Sequence, residues 1–159
     1  MMCLPREIDL DRTVLNTSAV QTSKNWWAGL VRDRDHETGE TRIRLERLVD
    51  NQTSIDIPHV WRIRPDFWSA ERNAVKTLTQ TGGHAVPGDL PINKWLTPRE
   101  YIPIREDSVR RVAAVRVEKP SGSSHIRLYH WDSDSESVRQ KFTAGRSWSD
   151  LAKEATSAL

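Results

Sequence analysis

Residues 41–49, TRIRLERLV, the turn Asp50-Asn51-Gln52, residues 54–64, SIDIPHVWRIR, and residues 65–80, PDFWSAERNAVKTLTQ, decide how this chain folds. In the first segment Ile43, Leu45 and Val49 alternate with Arg42, Arg44 and Glu46, the period of a strand with one buried face. The second repeats the pattern, with Ile55, Ile57, His59, Trp61 and Ile63 on one face and Asp56, Arg62 and Arg64 opposing them. Pro58 has no N–H for a ladder, so it demands an edge position or a bulge. In the third the period changes. Pro65 and Asp66 suit a helix start, and Phe67, Ala70, Ala74, Val75 and Leu78 recur at helical spacing, while Glu71, Arg72, Asn73 and Lys76 cover much of the remainder. Two strands joined by a turn, then a half-buried helix, predict helix on antiparallel sheet.

The pattern extends in both directions. Upstream, residues 26–31 (WWAGLV) read as a strand that returns into Thr41 through a hairpin loop over 33–40 containing Thr38-Gly39. The first twenty-five residues are polar and irregular, with a short extended candidate at Thr13-Val14-Leu15, and read as an arm (1–25) before one α+β domain (26–159). Downstream, residues 81–98 hold Gly82-Gly83, Pro87-Gly88, Pro91 and Pro98, too many breakers for regular structure. Strands follow at Tyr101 to Arg105, Val109 to Lys119 and Ser124 to Trp131, the last two joined by Pro120-Ser121-Gly122-Ser123. The fold expected is α+β: mostly antiparallel sheet from two three-stranded meanders, one helix between them and a C-terminal αα-hairpin. Segments 26–80 and 99–145 then form a pseudo-repeat split by the 81–98 loop.

The hairpin rests on two capping boxes, Ser133-x-x-Glu136 ahead of Val138 and Phe142, and Ser147-x-x-Asp150 ahead of Leu151, Ala152 and Ala155, with Gly145 as the stop between them. The segment from Glu136 to Leu159 resembles the first two helices of a helix-turn-helix, a pattern shared by many αα-hairpins, so no family is assigned. The expected core is Leu30, Ile43, Leu45, Ile55, Ile57, Trp61, Phe67, Val75, Leu78, Val115, Val117, Ile126, Leu128, Val138, Phe142 and Leu151.

Composition narrows the chemistry. At 159 residues the chain has room for one ordinary domain. No run approaches the ~18 apolar residues of a membrane span, and Glu7, Asp9 and Asp11 interrupt any leader-like core, so the expected setting is cytoplasmic, without a membrane partner. A single cysteine, Cys3, leaves no intramolecular disulfide and no thiolate metal cluster. The loop from Gly83 to Gly88 has P-loop glycine spacing, but Asp89 and Leu90 stand where Lys and Ser or Thr are needed, and a carboxylate repels phosphate. Nucleotide triphosphate binding there is therefore excluded. His36-Glu37 starts like a zincin helix, but Glu40 replaces the second His and Gly39 makes a turn. No metal, cofactor or catalytic residue follows from these motifs.

A net charge of +2 is too small to argue for nucleic acid by itself. The 18 Arg against 6 Lys say more, because Arg forks onto phosphates and stacks on rings. With Ile126 and Leu128 inward, His125, Arg127, Tyr129 and Trp131 project outward, as do Arg42, Arg44 and Glu46 from their strand. An exposed face of arginine beside aromatic rings grips single strands in several nucleic-acid binders. The leading expectation is thus a non-enzymatic nucleic-acid-binding module with Arg42, Arg44, Arg62, Arg64, Arg127, Tyr129 and Trp131 as contacts. Seven tryptophans against two Phe and two Tyr exceed the needs of one small core. Trp26, Trp27, Trp95 and Trp148 accordingly support a second expectation, a protein-interaction or assembly module, including a homodimer. A third is a metal-independent ribonuclease, with His125 or His59 as acid or base, Glu46 as its partner and Arg127 on the phosphate. His125 and His130 lie an odd number of residues apart and so face opposite sides of their strand.

Overall fold

The computed structural model describes residues 12–159, the side chains from Ala19 onward. Cys3 and the first part of the N-terminal arm lie outside the described residues. The elements are β1 (Arg12–Ser23), β2 (Trp26–Asp35), β3 (Thr41–Asp50), β4 (Ile55–Ile63), α1 (Pro65–Gln80), β5 (Thr97–Glu106), β6 (Arg110–Glu118), β7 (Ser124–Asp132), β8 (Gln140–Ala144) and α2 (Trp148–Ala158). The chain is α+β with antiparallel sheet. Among the described residues no helix is long and apolar enough to cross a membrane. Two compact units form, one through Arg64 together with Arg146–Leu159, the other Pro65–Gly145.

In the first unit β1, β2, β3 and β4 pair antiparallel in that order, and α2 lies against β2 and β3. Turn chemistry sets the β2–β3 hairpin: the Asp35 carboxylate accepts from the Glu37 and Thr38 amides, and Gly39 takes φ +71°, which a Cβ would strain. Leu30, Ile43, Leu45, Trp61, Ile63 and His59 are buried as the alternation requires. Ile55 and Ile57 are exposed instead. The register between β3 and β4 slips between Arg47 and Val49, so that Ile57 and Pro58 together oppose Leu48. This is the bulge Pro58 demanded, and one extra residue reverses the facing of everything upstream.

In the second unit β5, β6, β7 and β8 form another antiparallel meander. Helix α1 lies across β5, β6 and β7 with Trp68, Glu71, Ala74, Val75 and Leu78 buried. Its inward stripe thus includes Trp68 and Glu71, while Ala70 is exposed and Phe67 half-buried under the Arg105 guanidinium at 4.1 Å. The Arg116 guanidinium closes the helix end by donating to the Leu78 carbonyl and, at 2.8 Å, to Glu100. The opposite sheet face carries Ala113, Val115, Val117, Tyr129 and Trp131, packed under Leu90 with Val86, Ile92 and Leu96 beside it. The breaker-rich segment before β5 is therefore a cover, folded back over its own sheet.

The C-terminal αα-hairpin is not formed. Residues 140–144 are strand β8, and the segment of the first supposed capping box turns instead, Ser135 Oγ donating to the Ser137 carbonyl at 2.9 Å. The spacing of Val138 and Phe142 imitates a helix, yet Phe142 sits opposite Leu128 while Lys141 and Thr143 face the other way, the period of a strand. Ser147 occupies the N-cap of α2 without a side-chain capping bond. Strand β1 likewise adds a fourth strand to the first meander, over residues read as irregular arm.

Candidate functional site

The arginines expected to face a ligand fall in two places. In the first unit, Arg44 stands on β3 between Asp33 of β2 and Glu46 of β3. Its Nη1 donates to Asp33 Oδ2 and its Nε to Glu46 Oε2. Asp33 and Glu46 are 0% and 1% exposed, so this is a buried ion cluster. Burial alone disfavours the Arg44 cation, but hydrogen bonds and charge attraction to Glu46 and then Asp33 outweigh it, and its pKa is raised above the usual arginine value. Arg62 is opposite Arg44 in the β3–β4 register, and Arg42 pairs with Glu40 at 3.4 Å and Asp35 at 3.5 Å. Arg64, between β4 and α1, is exposed. Glu46 was expected to point outward as a catalytic partner; it is sealed against Arg44 because a half-buried arginine needs a counter-charge.

In the second unit, Tyr129 and Trp131 do not project into solvent. They are 1% and 0% exposed under the Leu90 segment. Trp131 Nε1 donates to Asp89 Oδ1 at 3.0 Å, and Asp89 also pairs with Arg111 at 3.4 Å. Alternation correctly separates Tyr129 and Trp131 from Ile126 and Leu128, but both faces of β7 are covered. The glycine-rich loop with P-loop spacing proves to be architecture: the Gly83 amide donates to Glu100 Oε2 at 3.0 Å, and His84 and Tyr101 exchange backbone bonds of 2.8 and 2.9 Å.

Arg127 is the half-buried member of the expected set whose described neighbours are hydroxyls. Its Nε donates to Thr143 Oγ1 and its Nη1 to the Tyr129 hydroxyl, both at 3.1 Å. Lys141, which the sequence places in a helix, is the cross-strand partner of Tyr129 on the same face. His125 shares that face through its pairing with Val117, and His130 faces α1 through its pairing with Val112, on opposite sides as their spacing requires.

The tryptophans divide sharply. Trp61, Trp68 and Trp131 are buried; Trp26, Trp27 and Trp148 are half-buried, with the Arg47 guanidinium over the Trp26 ring at 5.1 Å. Trp95 is 63% exposed. Its amide donates to Asn93 Oδ1 at 2.9 Å and the next amide, of Leu96, to the Asn93 carbonyl at 3.0 Å, while Lys94 Nζ stands 5.2 Å from its ring. Leu90, Ile92 and Leu96 pin the segment to the sheet around it. Compared with protein-family models, with curated proteins and with solved structures, the chain gives no significant match, so the functional reading rests on its own residues.

Proposed function

We propose that this chain is a non-enzymatic binding module whose partner is another protein, docked on a surface centred on Trp95. The exposure of Trp95 carries the reading. An indole left in water forgoes a large apolar burial, and a tryptophan on a tightly held segment offers that area with little ordering cost. Asn93, the buried Leu90 and the half-buried Ile92 and Leu96 supply that hold. Such residues dominate interface energetics when they enter a partner's pocket. Lys94 beside the ring favours a partner with an acidic rim around an apolar pocket.

The nucleic-acid reading through Arg42, Arg44, Arg62, Arg64, Arg127, Tyr129 and Trp131 stands second. Stacking needs open ring faces, and Tyr129 and Trp131 are buried; Arg42 and Arg44 already meet carboxylates. The ribonuclease reading draws no support from Glu46, whose carboxylate accepts from Arg44.

The test is Trp95→Ala. The variant should keep wild-type stability within about 0.5 kcal/mol, as expected for an exposed site. It should weaken association about 30-fold, the equivalent of ~2 kcal/mol at a tryptophan hot spot. Association is measured as self-association by sedimentation velocity and against purified candidate partners by calorimetry. Binding that is unchanged by Trp95→Ala refutes the reading. Retardation of single-stranded DNA or RNA at low salt, insensitive to Trp95→Ala, promotes nucleic acid to first place.

A further inference from the structure

Strands β7 and β8 bring four polar side chains into one block. Arg127 lies opposite Thr143 and Tyr129 opposite Lys141, and residues two apart share a face, so all four stand together. The floor is rigid: Tyr129 and Thr143 are buried, and their hydroxyls hold the Arg127 guanidinium through its Nε and one Nη1 hydrogen. The Nη2 hydrogens make no hydrogen bond in the described structure. Arg127 and Lys141 are themselves half-buried, not sealed.

What distinguishes this block is a pair of half-buried cations brought together by the β7–β8 register. Arg42, Arg44, Arg99, Arg111, Arg116 and Arg139 each have a carboxylate within 4.0 Å. Among the described residues neither Arg127 nor Lys141 makes an ion pair. Two cations held side by side on a partly dry surface repel each other, and the sequence could have spent an acid there as it does elsewhere. The Lys141 ammonium shows the strain: burial first and the neighbouring Arg127 second push its pKa below the usual lysine value.

We infer that Arg127 and Lys141 form a binding site for a phosphate-class oxyanion, a tetrahedral group carrying two negative charges. A planar fork and a point charge donate from two directions, which suits a tetrahedral dianion. A carboxylate, planar and singly charged, would satisfy the Arg127 fork and leave Lys141 uncompensated. This site is independent of the Trp95 surface.

Titration calorimetry of the full chain with inorganic phosphate, sulfate and acetate, each at the same ionic strength made up with chloride, tests the assignment. Phosphate and sulfate should bind and acetate should bind at least tenfold more weakly. Lys141→Gln should weaken phosphate binding tenfold or more, and Arg127→Lys, which keeps the charge and loses the fork, should weaken it as well, while the exposed-site control Lys153→Gln should not. Near-UV circular dichroism verifies folding; if Arg127→Lys does not fold, Lys141→Gln decides alone. Acetate binding as tightly as phosphate, phosphate binding unaffected by Lys141→Gln, or no phosphate binding at all would each overturn the inference.

Discussion

Replacing Gly83 by alanine tests whether the loop before β5 is a ligand cradle or a packed cover. A Cβ at Gly83 would collide with the Tyr101 carbonyl oxygen and lie 2.9 Å from both the Tyr101 carbonyl carbon and Leu78 Cδ2. The first obstacle is backbone in β5, so a rotamer change does not relieve it. Either β5 shifts, or the loop lifts and its two bonds between His84 and Tyr101, at 2.8 and 2.9 Å, come apart. Two such bonds contribute about 1 kcal/mol each, and the overpacking of Leu78 adds about 1 more, so Gly83→Ala should cost about 3 kcal/mol. For a chain of this size that lowers Tm by about 6–12 °C. Gly88 is the internal control. A Cβ there meets nothing within 4 Å and its φ is ordinary, so Gly88→Ala should be neutral or stabilising by up to about 1 kcal/mol, through the unfolded chain. Urea denaturation followed by tryptophan fluorescence and by far-UV circular dichroism reads both variants. If Gly83→Ala falls within 0.5 kcal/mol of wild type, or if both substitutions cost the same, a cover built on close backbone approach is the wrong description.

Arg44→Met should destabilise the protein by about 3–5 kcal/mol in denaturant titrations, because Asp33 and Glu46 stay buried without their cation; a loss below ~1 kcal/mol would mean those carboxylates are solvated elsewhere. His130 carries a pH prediction. Burial first, then Arg139, Arg110 and Arg105, with Asp132 opposing, hold its pKa below the ordinary 6.5. The unfolded chain therefore takes up the proton first, so His130 costs nothing above pH 6.5 and destabilises progressively as pH falls from there toward its folded pKa. His130→Gln should flatten stability between pH 7.5 and 5.5 relative to wild type, and identical pH profiles for the two proteins would contradict this.

Much of the fold was legible because it is local. Alternation over 41–49 put Ile43 and Leu45 on one buried face of β3, Pro65-Asp66 marked the first residues of α1, and Pro58 limited β4 to an edge position or a bulge, each through a property of a few adjacent residues. The same alternation sorted Tyr129 and Trp131 from Leu128, but whether a sheet face meets water depends on what folds over it. Here Leu90 and Trp131, forty-one residues apart, meet through a loop whose glycines and prolines say only that it is irregular. Residues 140–144 were read as helix because Val138 and Phe142 are four apart; the open hydrogen-bonding edge of β7 made them a strand, and a short segment takes the structure its neighbour can pair with. The candidate sites divide in the same way. An excess of tryptophan was written in the composition, and tertiary packing decided that Trp95 is the one left in water. Lys141 next to Arg127 is a product of the β7–β8 register alone, since no pattern along the chain joins residues fourteen apart until two strands align them.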